Sequence, residues 1–181
     1  MKTFAWFTTI AFAARLLSAQ SESDAKARAN PLVSSSRMVY EMVNQTVLRA
    51  AEEMPEENYS FRPTPEVRTF GQLVGHVADG QYEFCSAAIG DPTRGPQVEK
   101  NVTSKADLIE ALKKSFQYCD KAYDGLTDAH AADMVRFFGR SMPKLTLLDF
   151  NIAHTDEHYG NMVTYLRMKG LVPPSSQPRR K

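Results

Sequence analysis

Prolines and glycines cut residues 31–174 into four segments, each carrying apolar side chains at helical spacing. That periodicity, with no alternating run long enough for a sheet strand, restricts the chain to an all-α architecture. Asn30 precedes Pro31, an N-cap followed by proline at the first helical position. The first helix then runs through Val39, Met42, Val43, Val47, Ala50 and Met54 until Pro55 ends it. The stretch "PEENYSFRPTPEVR" is too rich in proline and charge to be more than a connection. Thr69 and Gln72 form a capping box for the second helix, which reaches about Ile89 through Leu73, Val77 and Phe84. Gly90-Asp91-Pro92 stops it, and "DPTRGPQVEKNVT" reads as a second connection. Ser104 starts a third helix through Leu108, Leu112, Phe116, Cys119 and Tyr123. Residues 127–142 read as irregular with a helical turn near "DAHAAD". Pro143 opens the last helix, and Gly170, followed by Pro173 and Pro174, closes it. The expectation is an antiparallel four-helix bundle with long connections, with no internal repeat.

The ends fall outside that bundle. Residues 1–20, "MKTFAWFTTIAFAARLLSAQ", have a basic start, an apolar run and small residues at Ser18 and Ala19, the layout of a secretory signal. Arg15 interrupts the run, which is too short and broken to span a bilayer. Residues 21–30 are an N-terminal extension, 31–174 the bundle, and 175–181 a basic tail expected to be disordered. The expected location is therefore exported, periplasmic or secreted, without stable membrane insertion. Without the leader, 20 basic and 21 acidic residues remain, a net charge of −1 that offers nucleic acid no footprint. Cys85 and Cys119 lie on helices facing one core, where either a disulfide or two buried thiols would fit.

Two of the four histidines, His154 and His158, stand four apart on the last helix. The stripe Leu145, Leu148, Ile152, Tyr159, Met162 and Leu166 is the expected core face. Beside it run Leu147, Asn151, His154, His158, Asn161 and Tyr165, so the two imidazoles border the core and reach one point, as metal ligands do. His76 lies on the second helix among Gly71, Gly75 and Gly80. A glycine inside a helix costs roughly 1 kcal/mol against alanine, so these positions point to close backbone approach or to room needed by a neighbour. Gly160, beside the pair, invites the same reading. Three histidines on two helices make either a three-nitrogen metal site with open positions or three structural imidazoles.

The segments "TFGQLVGHVADGQYEFCSAAIG" and "LLDFNIAHTDEHYGNMVTYLRMKGLVPP" resemble the DinB-like family, whose YfiT-type members are classed as metal-dependent hydrolases. The resemblance spans residues 31 to 174, and H-x-x-x-H-Y-G with Y-L-R-x-x-G and a double proline is its fairly specific part. It implies a four-helix bundle, a homodimer, and a divalent metal on His76, His154 and His158; His130 has no counterpart and is expected at the surface. Zinc, nickel, iron and manganese all suit such ligands. Three neutral imidazoles leave the ion its full charge, acidifying a bound water towards neutral pH. Asp79, Glu83 and Glu157 are the candidate catalytic carboxylates by helical phase. The function expected is a metal-dependent hydrolase acting on a small-molecule substrate. The alternatives are a thiol-dependent transferase or isomerase, as in relatives that use bacillithiol or mycothiol, and a non-enzymatic metal-binding bundle. Those thiols are cytosolic, so export counts against thiol transfer.

Overall fold

The computed structural model describes residues 24, 25, 27–92 and 95–178. The expected leader, 1–20, lies outside them. Four long helices dominate: α1 (Pro31–Glu53), α2 (Phe70–Ile89), α4 (Lys105–Gly125) and α5 (Lys144–Met168). The short α3 (Val98–Asn101) interrupts the second connection, and a hairpin of β1 (Met134–Phe137) and β2 (Arg140–Pro143) interrupts the third. The architecture is all-α, with α2 packed against α4 and α5, and α1 against the same two. Helices joined by the two longest connections, α1 with α2 and α4 with α5, are therefore diagonal partners. Among the described residues no helix is long and apolar enough to cross a membrane.

Local chemistry explains most boundaries. Thr69 Oγ1 accepts from the Gln72 amide at 3.2 Å while Gln72 Oε1 accepts from the Thr69 amide at 2.8 Å, completing the capping box. Ser104 Oγ accepts from the Asp107 amide and starts α4. At the end of α5 the Leu171 amide returns to Leu166 O, with Gly170 at φ 74°, a conformation in which a side chain would be strained.

Four expectations need correction. Asn30 is the N-cap residue, yet its side chain does not cap α1. The orphan amides of Leu32 and Val33 donate to Asp128, 3.0 and 2.9 Å away, and Asn30 Oδ1 accepts from the Asp128 amide. Residues 134–143 form a hairpin, whose two central residues, Phe138 and Gly139, both have positive φ, 47° and 76°. Such a turn matches strand twist but ordinarily carries Asn-Gly, so Phe-Gly gave no signal. Pro143 caps α5 from outside, and Lys144 is its first residue. Finally, a 3₁₀ turn, Pro174–Ser176, holds the start of the tail: Tyr159 Oη receives the Ser175 amide at 2.9 Å, and Gln177 Nε2 donates to Glu53.

The core has two apolar clusters. One gathers Val47, Met54, Phe70, Leu73, Val77, Leu112 and Met162; the other gathers Tyr40, Phe84, Tyr123, Leu147 and Leu148 around Cys85 and Cys119. These cysteines form a disulfide that ties α2 to α4. A buried polar set joins α2 to α5: Asn151 Nδ2 donates to Gln81 Oε1 at 2.9 Å, and Gln81 Nε2 donates to Thr155 Oγ1 at 3.0 Å. Leu145 and Ile152, expected at the core, are only partly buried, whereas Leu147 and Asn151 are fully enclosed. The α5 core face is thus turned by about one residue towards the histidine stripe.

Candidate metal centre

Along α2, His76 follows Val74 and Gly75, and along α5 His154 and His158 are one turn apart. Because α2 and α5 are neighbours, the three rings meet. His76 Nε2 lies 3.2 Å from His154 Nε2, which lies 3.2 Å from His158 Nε2. The ligand atoms of all three fall within 4.8 Å of one another. At 3.2 Å two facing nitrogens cannot both carry hydrogen, so each of these two pairs contains at least one Nε2 with a bare lone pair pointing inward. The rings pack edge-on, with His76 and His158 at 89° and His154 and His158 at 80°.

Each ring is placed by a different device. His76 Nδ1 lies 2.8 Å from Glu99 Oε2, and Glu99 Oε1 accepts from Arg68 Nε at 2.8 Å. A carboxylate on Nδ1 keeps the proton there and leaves Nε2 bare. His154 fits because position 80 is glycine: a Cβ there would lie 2.7 Å from its Cε1. The ring also packs against Phe84, with centroids 5.2 Å apart. His154 Nδ1 is buried without a hydrogen-bond partner. His158, 8% exposed, has Asn161 Nδ2 at 3.4 Å from its Nδ1. Burial, followed by the neighbouring His158 and His76, pushes His154 down to about 4. Burial and then His76 also lower His158. Both rings therefore stay neutral through the physiological range.

Glu99 was not singled out in the sequence because it lies in a segment that reads as a loop. Gly75 is the clue that was present: a Cβ at this position would sit 2.7 Å from Glu99 Cα, so the missing side chain lets α3 press against α2. Burial would raise the Glu99 carboxyl, but hydrogen bonds from Arg68 and His76 outweigh it and hold it below the ordinary range.

The candidate carboxylates have other surroundings. Asp79 accepts the Val98 amide at 2.6 Å and the Glu99 amide at 3.0 Å, so both its oxygens hold α3 in place. Glu83 and Glu157 are exposed, and Glu83 lines a separate cavity of about 580 Å³ with Asp79, Ser86 and Asp91. His130 is exposed and pairs with Asp133. Nothing lies within 4 Å of a Cβ placed on Gly160, so the close-approach reading fails there. A cavity of about 710 Å³ opens beside the triad, lined by His158, Glu99, Arg68, Asn161, Gln72 and Thr164 among others.

A family model described as the DinB superfamily matches residues 40–162, more than half the chain. YjoA of Bacillus subtilis (strain 168), an uncharacterized protein, is 24% identical over 123 residues, which cover 66% of this chain and 79% of YjoA. Its crystal structure, titled a DinB-like protein, superposes with a TM-score of 0.65 at 21% identity, over 83% of this chain and all of that one. A DinB-like protein from Bacillus cereus gives a TM-score of 0.69 at 23% identity, over 77% of this chain and 93% of that one. A mycothiol-dependent maleylpyruvate isomerase shares the fold at a TM-score of 0.54 and 17% identity, over 80% of this chain and 78% of that one.

Proposed function

The chain belongs to the DinB superfamily, and from that premise we propose that it is a metal-dependent hydrolase acting on a small molecule, with His76, His154 and His158 as metal ligands. The observation that carries this reading is the convergence of three Nε2 atoms beside an open cavity. Their 3.2 Å spacing fits; nitrogens about 2.0–2.1 Å from a tetrahedral ion lie roughly 3.3 Å apart. A divalent ion held there supplies Lewis acidity with its charge undiminished by the neutral ligands. Glu99 keeps the His76 proton on Nδ1, Arg68 keeps Glu99 in place, and Asn161 steadies His158. The group of ligands among the described residues contains no carboxylate, so positions remain for water and substrate.

A second reading, thiol-dependent transfer at the same centre, is favoured by the likeness to the mycothiol-dependent isomerase. The Cys85–Cys119 disulfide weighs against it, since an oxidising compartment suits the disulfide and the expected leader, and lacks the cytosolic thiols. Export is tested by the N-terminal mass of secreted protein, expected near Gln20 or Ser21. Processed protein would also lose Trp6, the single tryptophan, and with it tryptophan emission.

Thermal unfolding with chelator and with zinc, nickel or manganese tests the centre itself. At 100 times its dissociation constant, free metal should stabilise the wild type by about 2.7 kcal/mol. His158→Ala should lose most of that rise while the chelated variant keeps its helicity. Equal metal responses in the two proteins would overturn the reading.

A further inference from the structure

Glu99 occupies only one edge of the Arg68 guanidinium. Its Oε1 takes the Nε–H, and the two terminal nitrogens make no other hydrogen bond among the described residues. Arg68 is nevertheless held at both ends. Tyr165 Oη donates to its carbonyl at 2.6 Å, and the next residue, Thr69, is fixed as the N-cap of α2. The side chain is 41% exposed and lines the 710 Å³ cavity that also reaches His158. Among the lining residues Arg68 is the lone cation, and Gln72, Asn161 and Thr164 give the walls polar character. A guanidinium pre-set by a carboxylate on one edge presents its remaining fork to a planar anion with little loss of side-chain freedom.

We propose that Arg68 is the anion-recognition residue of this site, and that the substrate is a small molecule whose carboxylate docks on Arg68 while a second oxygen reaches the three-histidine centre. This rests on the reading of that centre as a metal site. Charge favours a carboxylate over a phosphate. One guanidinium, already paired with Glu99 in a lining that also holds the Glu66 carboxylate, balances a single negative charge better than two. The cavity volume suits a ligand of that size. Arg68 is then a specificity residue as well as the support of Glu99.

The test is calorimetric binding of levulinate, its methyl ester and inorganic phosphate to nickel-loaded protein, in the wild type, Arg68→Gln and Arg68→Lys. Levulinate carries a carboxylate and a ketone oxygen, and the ester differs only in lacking the charge. Wild type should bind levulinate about tenfold or more tighter than the ester. Arg68→Gln should bring the two within about twofold, and Arg68→Lys should retain part of the preference, since it keeps charge without the fork. Nickel affinity, measured separately on each protein, separates loss of Glu99 support from loss of anion binding. A preference that survives in nickel-loaded Arg68→Gln would overturn the Arg68 assignment alone, and phosphate binding more tightly than levulinate to wild type would overturn the choice of a carboxylate ligand. Absence of nickel binding in wild type would instead overturn the metal centre.

Discussion

Gly80 and His154 face each other across the α2–α5 interface so closely that a Cβ on Gly80 would lie 2.7 Å from Cε1 and 3.0 Å from Nδ1 of the imidazole. The ring has little room to retreat, since Phe84 flanks it and the other two imidazoles meet its Nε2. Gly80→Ala should therefore weaken metal binding at least tenfold by displacing His154. By helix propensity alone the substitution would stabilise α2 by about 1 kcal/mol, so the chelated variant should unfold within about 1 kcal/mol of wild type. Metal titration and chelated thermal unfolding check both halves; unchanged metal affinity would mean the ring moves aside freely.

Glu99 acts on the centre through His76, 2.8 Å away. Glu99→Gln keeps the size and an acceptor oxygen but removes the charge that holds the Nδ1 proton. Metal affinity should fall about 10–100-fold. Folding stability of the chelated protein should change by less than about 1 kcal/mol, because the pair with Arg68 is partly solvated. Competition titration against a coloured chelator measures the first, and urea unfolding the second. A variant that binds metal like wild type would reduce Glu99 to an anchor for Arg68.

The four long helices were legible because each carries its own evidence: apolar period, cap and stop within about twenty residues. His76, His154 and His158 were legible for the same reason, since helical phase fixes where a side chain points. What was hidden depends on distant partners. Asp128 caps α1 from more than ninety residues away, and Glu99 reaches His76 only because Gly75 lets α3 approach. The hairpin was hidden by chemistry of another kind: its strands are four residues long, and an exposed Phe138 occupies a turn position that usually announces itself as Asn. Asp79, in phase with His76, is engaged with the α3 amides, which phase alone does not reveal.

The depressed histidines set an acid dependence. His154 at about 4 and His158, also lowered, are held neutral by burial, whereas unfolded histidine titrates near 6.5. Between those values the unfolded chain binds more protons than the folded one. Stability is therefore fully present above about pH 6.5 and lost as pH falls towards 4. Chelated protein should show a falling unfolding temperature across that window, and His154→Asn should flatten the fall. A flat profile in wild type would contradict burial of His154 and His158.

The disulfide offers the last test, because it joins α2 to α4 across 34 residues of chain with both cysteines fully buried. Closing a loop of that length restricts the unfolded ensemble by about 3.8 kcal/mol in the chain-entropy account. The double variant Cys85→Ala, Cys119→Ala should lose that and a little more, since Asn151 Nδ2 rests 3.7 and 3.6 Å from the two sulfurs and would face smaller neighbours. For a chain of this size the expected fall in unfolding temperature is about 8–15 °C. Helicity at 20 °C should survive, because Leu147, Leu148, Phe84 and Tyr123 still pack the same cluster. Metal affinity should change little, for the sulfurs meet Asn151 while the imidazoles are set by Glu99, Gly80 and Phe84. Differential scanning calorimetry on oxidised wild type and the double variant reads the stability difference directly. A fall smaller than about 2 °C would mean the buried cluster, not the covalent link, holds α2 against α4.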